Sequence, residues 1–381
     1  MIIFLDTIMK KYLFPAILVL FLFAVFSLVF YHKEKGSYVF GSLLPLSGQV
    51  SAYGEMMQRG QRMAVEDILE EYGDSIKIEF FDTQHLKDVA LNRLMEANNK
   101  GIKCLVEIFG SDQVEHCMSY AINHNMFILS GVDTKYELVD EGKGNFARIM
   151  PSDAAASQEI IQWMEKEGAK NVEILYVNDD WGEGLLHSAL SNIEQSSLNL
   201  VGIFDMNRNQ QSFSSTVAKM KAKNPDVVCL FIYPDDGGRF IKEAHRQQFT
   251  PGFYATENFT GEDMIKTAQN AAVGVKMVVP STSEENENYK KMTQKYIAKY
   301  KEEPTIFALK GYDAVYVLYD VLKKAGTTDV DSIKNLIRSG YDFTGVTGNI
   351  KFDEKGEYVV TSYDHFEFIS TENGIKTKLI K

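Results

Sequence analysis

Cysteine is scarce in this chain: Cys104, Cys117 and Cys229 are the only thiols in 381 residues. No CxxC or other zinc spacing occurs, and the seven His are scattered with no HExxH among them, so no metal site is expected. Cys104 and Cys229 lie in apolar, strand-like runs and Cys117 in a helix-like one. Buried free thiols are therefore the default, although one pair could bridge in an oxidising compartment. GxSxG, a phosphate-binding glycine loop and the dinucleotide fingerprint are also missing, and no cofactor is expected. Positive charge is in short supply: the formal net charge is −12, and Lys and Arg are spread along the chain. Nucleic acid needs a basic footprint, so it is not an expected partner.

What is present is globular. With 45% hydrophobic and 24% charged residues, the chain is long enough for two lobes, each with its own core. Residues 1–36 differ in kind. After Lys10 and Lys11, the run Tyr12–Tyr31 carries no charge, and its 20 residues at ~1.5 Å each would cover the ~30 Å hydrocarbon core of a bilayer. No small-x-small cleavage site stands out between Ala24 and Ser37, and no cysteine follows for lipid attachment. This segment reads as a membrane anchor or uncleaved signal segment. Lys33 and Lys35 nearly balance Lys10 and Lys11, so the expected placement of the body outside the cytoplasm rests weakly on charge.

Beyond residue 37, apolar runs of four to seven residues alternate with amphipathic, helix-length segments. Strands are expected at 39–44, 76–81, 104–109, 126–129, 172–177, 200–204, 227–232, 252–255 and 275–279. Helices are expected at 88–99, 154–167, 184–195, 214–223, 238–247, 286–299 and 308–323. This alternation is the mark of parallel sheets flanked by helices, and so many strands divide better into two sheets than one. The tail, 348–352 with 359–369, reads as a β meander around "DEKGEY". In open parallel sheets ligands bind beyond the carboxyl ends of the strands, so the loops there are where a site is sought. The first is "LLPLSGQVSAYGE", a strand passing through a Ser- and Gly-bearing turn into a helix, with Tyr53 as an apolar wall.

Seven blocks in order carry a resemblance: "LLPLSGQVSAYGE", "DTQ" at 82–84, "FILSGVDTKYELVDEGKGNFARIMPSDA", "ILYVNDDWGEGL", "NPDVVCLFIYPDDGGRFIKEA", "GYDAVYVLYDVLKKAG" and "TGNIKFDEKGE". The chain after residue 37 resembles the extracytoplasmic solute-binding proteins of the branched-chain amino acid type, with the type I periplasmic-binding fold. The resemblance implies two α/β lobes, each a mostly parallel sheet flanked by helices, joined by three crossovers and closing on a ligand. Lobe 1 would comprise 37–154 and 283–343, and lobe 2 would comprise 155–282 and 344–381.

It also implies a site. Ser111 in "FGSDQ" would meet a ligand carboxylate, with Val132 (backbone carbonyl) and Thr134 from "SGVDT". Glu257 in "YATENF" would face an ammonium group. Tyr53, Trp181 and Tyr233 would form walls, and Tyr312 a lid contact. By residue type alone, Ser111 and Thr134 also suit loop and N-cap roles, Glu257 a solvated surface, and Tyr53 and Trp181 ordinary packing. Asp112 and Asp133 depart from the family pattern and would repel an anion unless they point away or pair with a cation, so the ligand could be polar, cationic or not an amino acid. The leading expectation is a periplasmic receptor, tethered to the inner membrane through residues 12–31, which captures a small amphoteric solute for an ABC-type permease. A membrane-anchored sensor that passes occupancy to a signalling partner is the alternative. An enzyme is disfavoured: Asp179 and Asp180, adjacent on a polar turn, read as solvated and not as a general acid and base.

Overall fold

Five short runs, β1 (Ser37–Leu44), β2 (Ser75–Asp82), β3 (Cys104–Ile108), β4 (Phe127–Ser130) and β5 (Phe146–Arg148), pair in parallel in the order 2-1-3-4-5. In the computed structural model, which describes residues 37–260, 262–281, 286–360, 362–372 and 374–380, every residue of β3, β4 and β5 is buried. Helices cover both faces of such a sheet, which is why its strands read as unbroken apolar runs.

The second sheet follows the same rule. β6 (Asn171–Val177), β7 (Asn199–Met206), β8 (Val227–Phe231), β9 (Gly252–Ala255) and β10 (Lys276–Pro280) are parallel. The chain then returns to lobe 1 for helices Glu287–Tyr300, Ile306–Ala325 and Val330–Arg338 and the hairpin β11 (Asp342–Gly345) and β12 (Gly348–Lys351). It ends with β13 (Tyr363–Thr371), antiparallel to β10, and β14 (Gly374–Leu379), antiparallel to β13. The sheet order is 14-13-10-9-8-6-7. Two lobes with three crossovers result.

All nine expected strands and all seven expected helices form, with ends within four residues. The meander does not: β12 pairs back on β11, and β13 joins the other lobe's sheet. The third crossover therefore falls later than residue 344, since Val346, Ile350, Phe352 and Tyr358 pack into the lobe 1 core with Phe40, Val106 and Val315. Asp313, fully buried on helix Ile306–Ala325, fixes that turn by accepting from Val346 N (2.7 Å), Thr347 N (2.9 Å) and Thr347 Oγ1 (2.6 Å). Lys310, one turn earlier, donates to Ile149 O at the first crossover (2.7 Å) and to Thr347 Oγ1 (3.2 Å). One buried cation thus ties the first crossover to the turn between β11 and β12.

The three cysteines are free and buried. Tyr12–Tyr31 lies outside the described residues, among which no helix is long and apolar enough to cross a membrane.

Candidate functional site

The strand order reverses between β1 and β3 in one sheet and between β6 and β8 in the other. The loops leaving these strands face one another, and a cavity of about 90 Å³ lies between them. One water occupies ~10–15 Å³ on this measure, so there is room for roughly six to nine water-sized positions, the scale of a single amino acid.

Seven of the eight expected site residues line it: Tyr53, Ser111, Val132, Thr134, Trp181, Tyr233 and Glu257. Tyr312 does not. It lines a separate cavity beside helix Ser51–Tyr72, where its hydroxyl donates to Asp67 Oδ2 at 2.8 Å. The position expected of Tyr312 is filled by Phe307 in the first turn of the same helix, whose ring centroid lies 5.0 Å from that of Tyr53. Tyr53 also stacks on Phe109 (6.5 Å, 9° between planes) and meets Tyr233 from the other lobe (6.5 Å), which in turn contacts Trp181 (4.9 Å). Phe109, Phe307 and His85 were not singled out from the sequence. An aromatic just before "GSD" and another at the helix start after "EEPT" were the available signals.

The lobe 1 loops are held by polar bonds, exposed at Asp82 and buried at Ser130, Gly131 and Asp133. Asp82 accepts from Leu46 N (2.9 Å), Ser47 N (3.2 Å) and Ser47 Oγ (2.6 Å), fixing the turn before Tyr53. Asp133 answers the concern about added acid: its Oδ1 accepts from Gly110 N (2.8 Å) and its Oδ2 from Ser130 Oγ (2.8 Å), so it staples the loop after β3 to the loop after β4. Glu107, fully buried beneath, accepts from Gly131 N at 2.7 Å. Burial and the nearby Asp133 push its carboxyl well up. Arg148, also fully buried, gathers the carbonyls of Asp133 (3.3 Å), Lys135 (2.7 Å) and Tyr136 (3.2 Å) and pairs with Glu357. This fixes the path of the segment that carries Val132 and Thr134.

Three of the expected residues, Ser111, Thr134 and Glu257, bring polar groups to the cavity. Ser111 opens helix Ser111–Asn123, whose first N–H groups lack intrahelical partners, and the buried hydroxyl of Thr134 makes no hydrogen bond among the described residues. That is the chemistry of an anion site. Glu257, opening the short helix Glu257–Thr260 after β9, has no ion-pair partner among the described residues. Burial pushes its carboxyl up to about 7, against the drawing effect of its own backbone N–H and of Lys310. That is an acid awaiting a cation.

Asp179 and Asp180 are not on a solvated turn: both line the cavity. Asp179 caps helix Asp180–Glu194 by accepting from Gly182 N (2.9 Å), and Asp180 pairs with Lys87 of lobe 1 at 2.6 Å. Among the described residues no group of three or more His, Cys, Asp or Glu is placed to hold a metal ion.

The chain belongs to the periplasmic binding protein family, whose model matches residues 37–371. It is a solute-binding protein and not an enzyme. The chain is 22% identical over 317 residues to the leucine-, isoleucine-, valine-, threonine- and alanine-binding protein of Pseudomonas aeruginosa, covering 82% of this chain and 85% of that one. Its fold is similar to that of the branched-chain amino acid transporter substrate-binding protein of Streptococcus pneumoniae in complex with isoleucine (TM-score 0.79, 22% identity, 91% of this chain and 100% of that one). It is also similar to a solute-binding protein of an ABC transporter from Rhodopseudomonas palustris in complex with 3,4-dihydroxybenzoic acid (TM-score 0.80, 17% identity, 90% and 96%).

Proposed function

We propose that this protein captures an α-amino acid, or a close amphoteric relative, between its lobes and delivers it to an ABC-type permease, with Tyr12–Tyr31 holding the body at the membrane. The observation that carries the ligand class is the pairing of opposite chemistries in one small cavity: on lobe 1 the helix start at Ser111, whose Oγ accepts from Lys135 N (3.4 Å), with the Thr134 hydroxyl, which makes no hydrogen bond among the described residues, and on lobe 2 the Glu257 carboxyl, which has no ion-pair partner among them. Burying a carboxylate or an ammonium without a partner costs several kcal/mol, and an amino acid supplies to each side the group that it lacks. The ligands named for the Pseudomonas and Streptococcus proteins support this choice.

Titration calorimetry on the full-length protein in detergent, with a panel of α-amino acids, tests the reading. Glu257→Gln keeps the shape and removes the charge. Loss of one partner of a buried pair costs roughly 3–5 kcal/mol, a few hundred- to several thousand-fold in affinity. A change under tenfold for the best ligand, with unaltered folding, would remove Glu257 from the site and the ammonium with it.

A further inference from the structure

The cavity holds more acid than an ordinary amino acid answers. Asp112, Asp133, Asp179, Asp180 and Glu257 line it, and no Lys or Arg does. Asp133 is spent on Gly110 N and Ser130 Oγ, and Asp180 on Lys87. The other nearby cation, Arg208, is spent on Asp235 and Asp236 (3.2 Å each) and lies flat against the Tyr233 ring at 3.9 Å. Glu257 has the ligand's α-ammonium in the reading above. Asp112 and Asp179 remain: neither has an ion-pair partner among the described residues, and of Asp179 one oxygen, Oδ1, is engaged by Gly182 N (2.9 Å).

These two carboxyls come from opposite lobes. Asp112 sits in the first turn of helix Ser111–Asn123, and Asp179 at the N-cap of helix Asp180–Glu194. Closure of the lobes brings them into each other's field. Burial is the largest cause that pushes both upward, Asp179 to about 6, against the pull of His85 and Lys87 on Asp112 and of Gly182 N and Arg208 on Asp179. The wall beside them is polar too. His85 is held through Nδ1 to Gln113 Nε2 at 2.6 Å, and its ring fills the space that a side chain at Gly110 would need, 2.9 Å from the Cβ position. The cavity thus has one wall of aromatic rings and one of carboxylates and an imidazole, and a side chain with an apolar stem and a charged end answers both.

We infer that the ligand carries a second cation: an α-amino acid whose side chain ends in an ammonium or guanidinium group, received between Asp112 of one lobe and Asp179 of the other. The inference rests on the amino-acid reading and narrows it. One ligand charge then bridges the lobes, so binding and closure stabilise each other.

Two pairs of probes isolate the terminal charge: L-ornithine against L-norvaline, and L-lysine against L-norleucine, each pair sharing one carbon skeleton. In calorimetry on the full-length protein, at least one diamino acid should bind about 30-fold or more tighter than its uncharged counterpart, the lower end for losing one partner of a buried charge pair. Asp112→Asn should weaken the diamino acid, strengthen the neutral one and cut the ratio about tenfold or more. Asp179→Asn, which keeps a good N-cap, should do the same and guards against a folding defect at Asp112. Equal or tighter binding of norvaline or norleucine, lost in Glu257→Gln, would overturn this inference and leave the amino-acid reading standing. A ratio that neither Asn variant changes would also overturn it, as would binding of none of the four when another amino acid of the panel binds; binding of no amino acid at all would overturn both.

Discussion

Glu173 on β6 has both carboxylate oxygens buried with no hydrogen-bond partner among the described residues, and burial pushes it up to about 7 from an ordinary 4.5. The folded chain therefore retains a proton that the unfolded chain releases between those two values. Folded protein binds more protons across that window, so this residue's contribution to stability falls as pH rises from about 4.5 to about 7 and is least favourable above it. Glu173→Gln removes the ionisation. It should raise stability at pH 8 by about 1–3 kcal/mol, the cost of an unsatisfied buried group, and do little at pH 5. Thermal unfolding at the two pH values checks this, and an equal shift at both would mean that Glu173 is solvated. Glu257 has the same upward push at the site, but there an arriving ammonium would draw the carboxyl back down.

Helices Ser51–Tyr72 and Ile306–Ala325 cross in near backbone contact. A Cβ at Gly60 would stand 1.9 Å from Ala308 O, and one at Gly311 would stand 2.7 Å from Met57 O. These helices carry Tyr53 and Phe307, so their spacing sets one wall of the cavity. Gly60→Ala must push them apart, at a cost typical of overpacking, about 1–3 kcal/mol or more, and should weaken ligand binding as well. A variant with unchanged melting temperature and affinity would show that the crossing is not tight. Much at this scale was legible in the sequence, because strands buried on both faces appear as apolar runs and the loops after them carry most of the site. Helix starts were less so: Gly182 of "DDWGEG" and Gly237 of "PDDGGRF" read as lying before the helix, although Asp179 caps one helix and Pro234 opens the other. Tyr312 was misplaced because five residues along a helix turn the side chain by about 140°, so Phe307 faces the cavity while Tyr312 faces Asp67. The late third crossover was hidden because Val346, Ile350 and Phe352 are apolar in either lobe, and only packing assigns them.

At the scale of the whole molecule the lobes are in contact. Lys87 meets Asp180, Asn209 Nδ2 donates to Gln49 Oε1 at 2.8 Å, and Tyr53 faces Tyr233. Both polar links are exposed or partly so, each worth about 0–1 kcal/mol, which leaves the ligand as the main source of closing energy. The central claim, that a small solute binds between the lobes beside Trp181, has a direct optical test, because the chain has only two Trp. Trp181 lines the cavity, whereas Trp163 is buried in lobe 2, stacked on His365 at 4.0 Å with Nε1 donating to Glu167. Titrating the full-length protein with the best amino acid from calorimetry should give a saturable change in Trp fluorescence that persists in Trp163→Phe and is lost in Trp181→Phe. A change that persists in Trp181→Phe and vanishes in Trp163→Phe would contradict it.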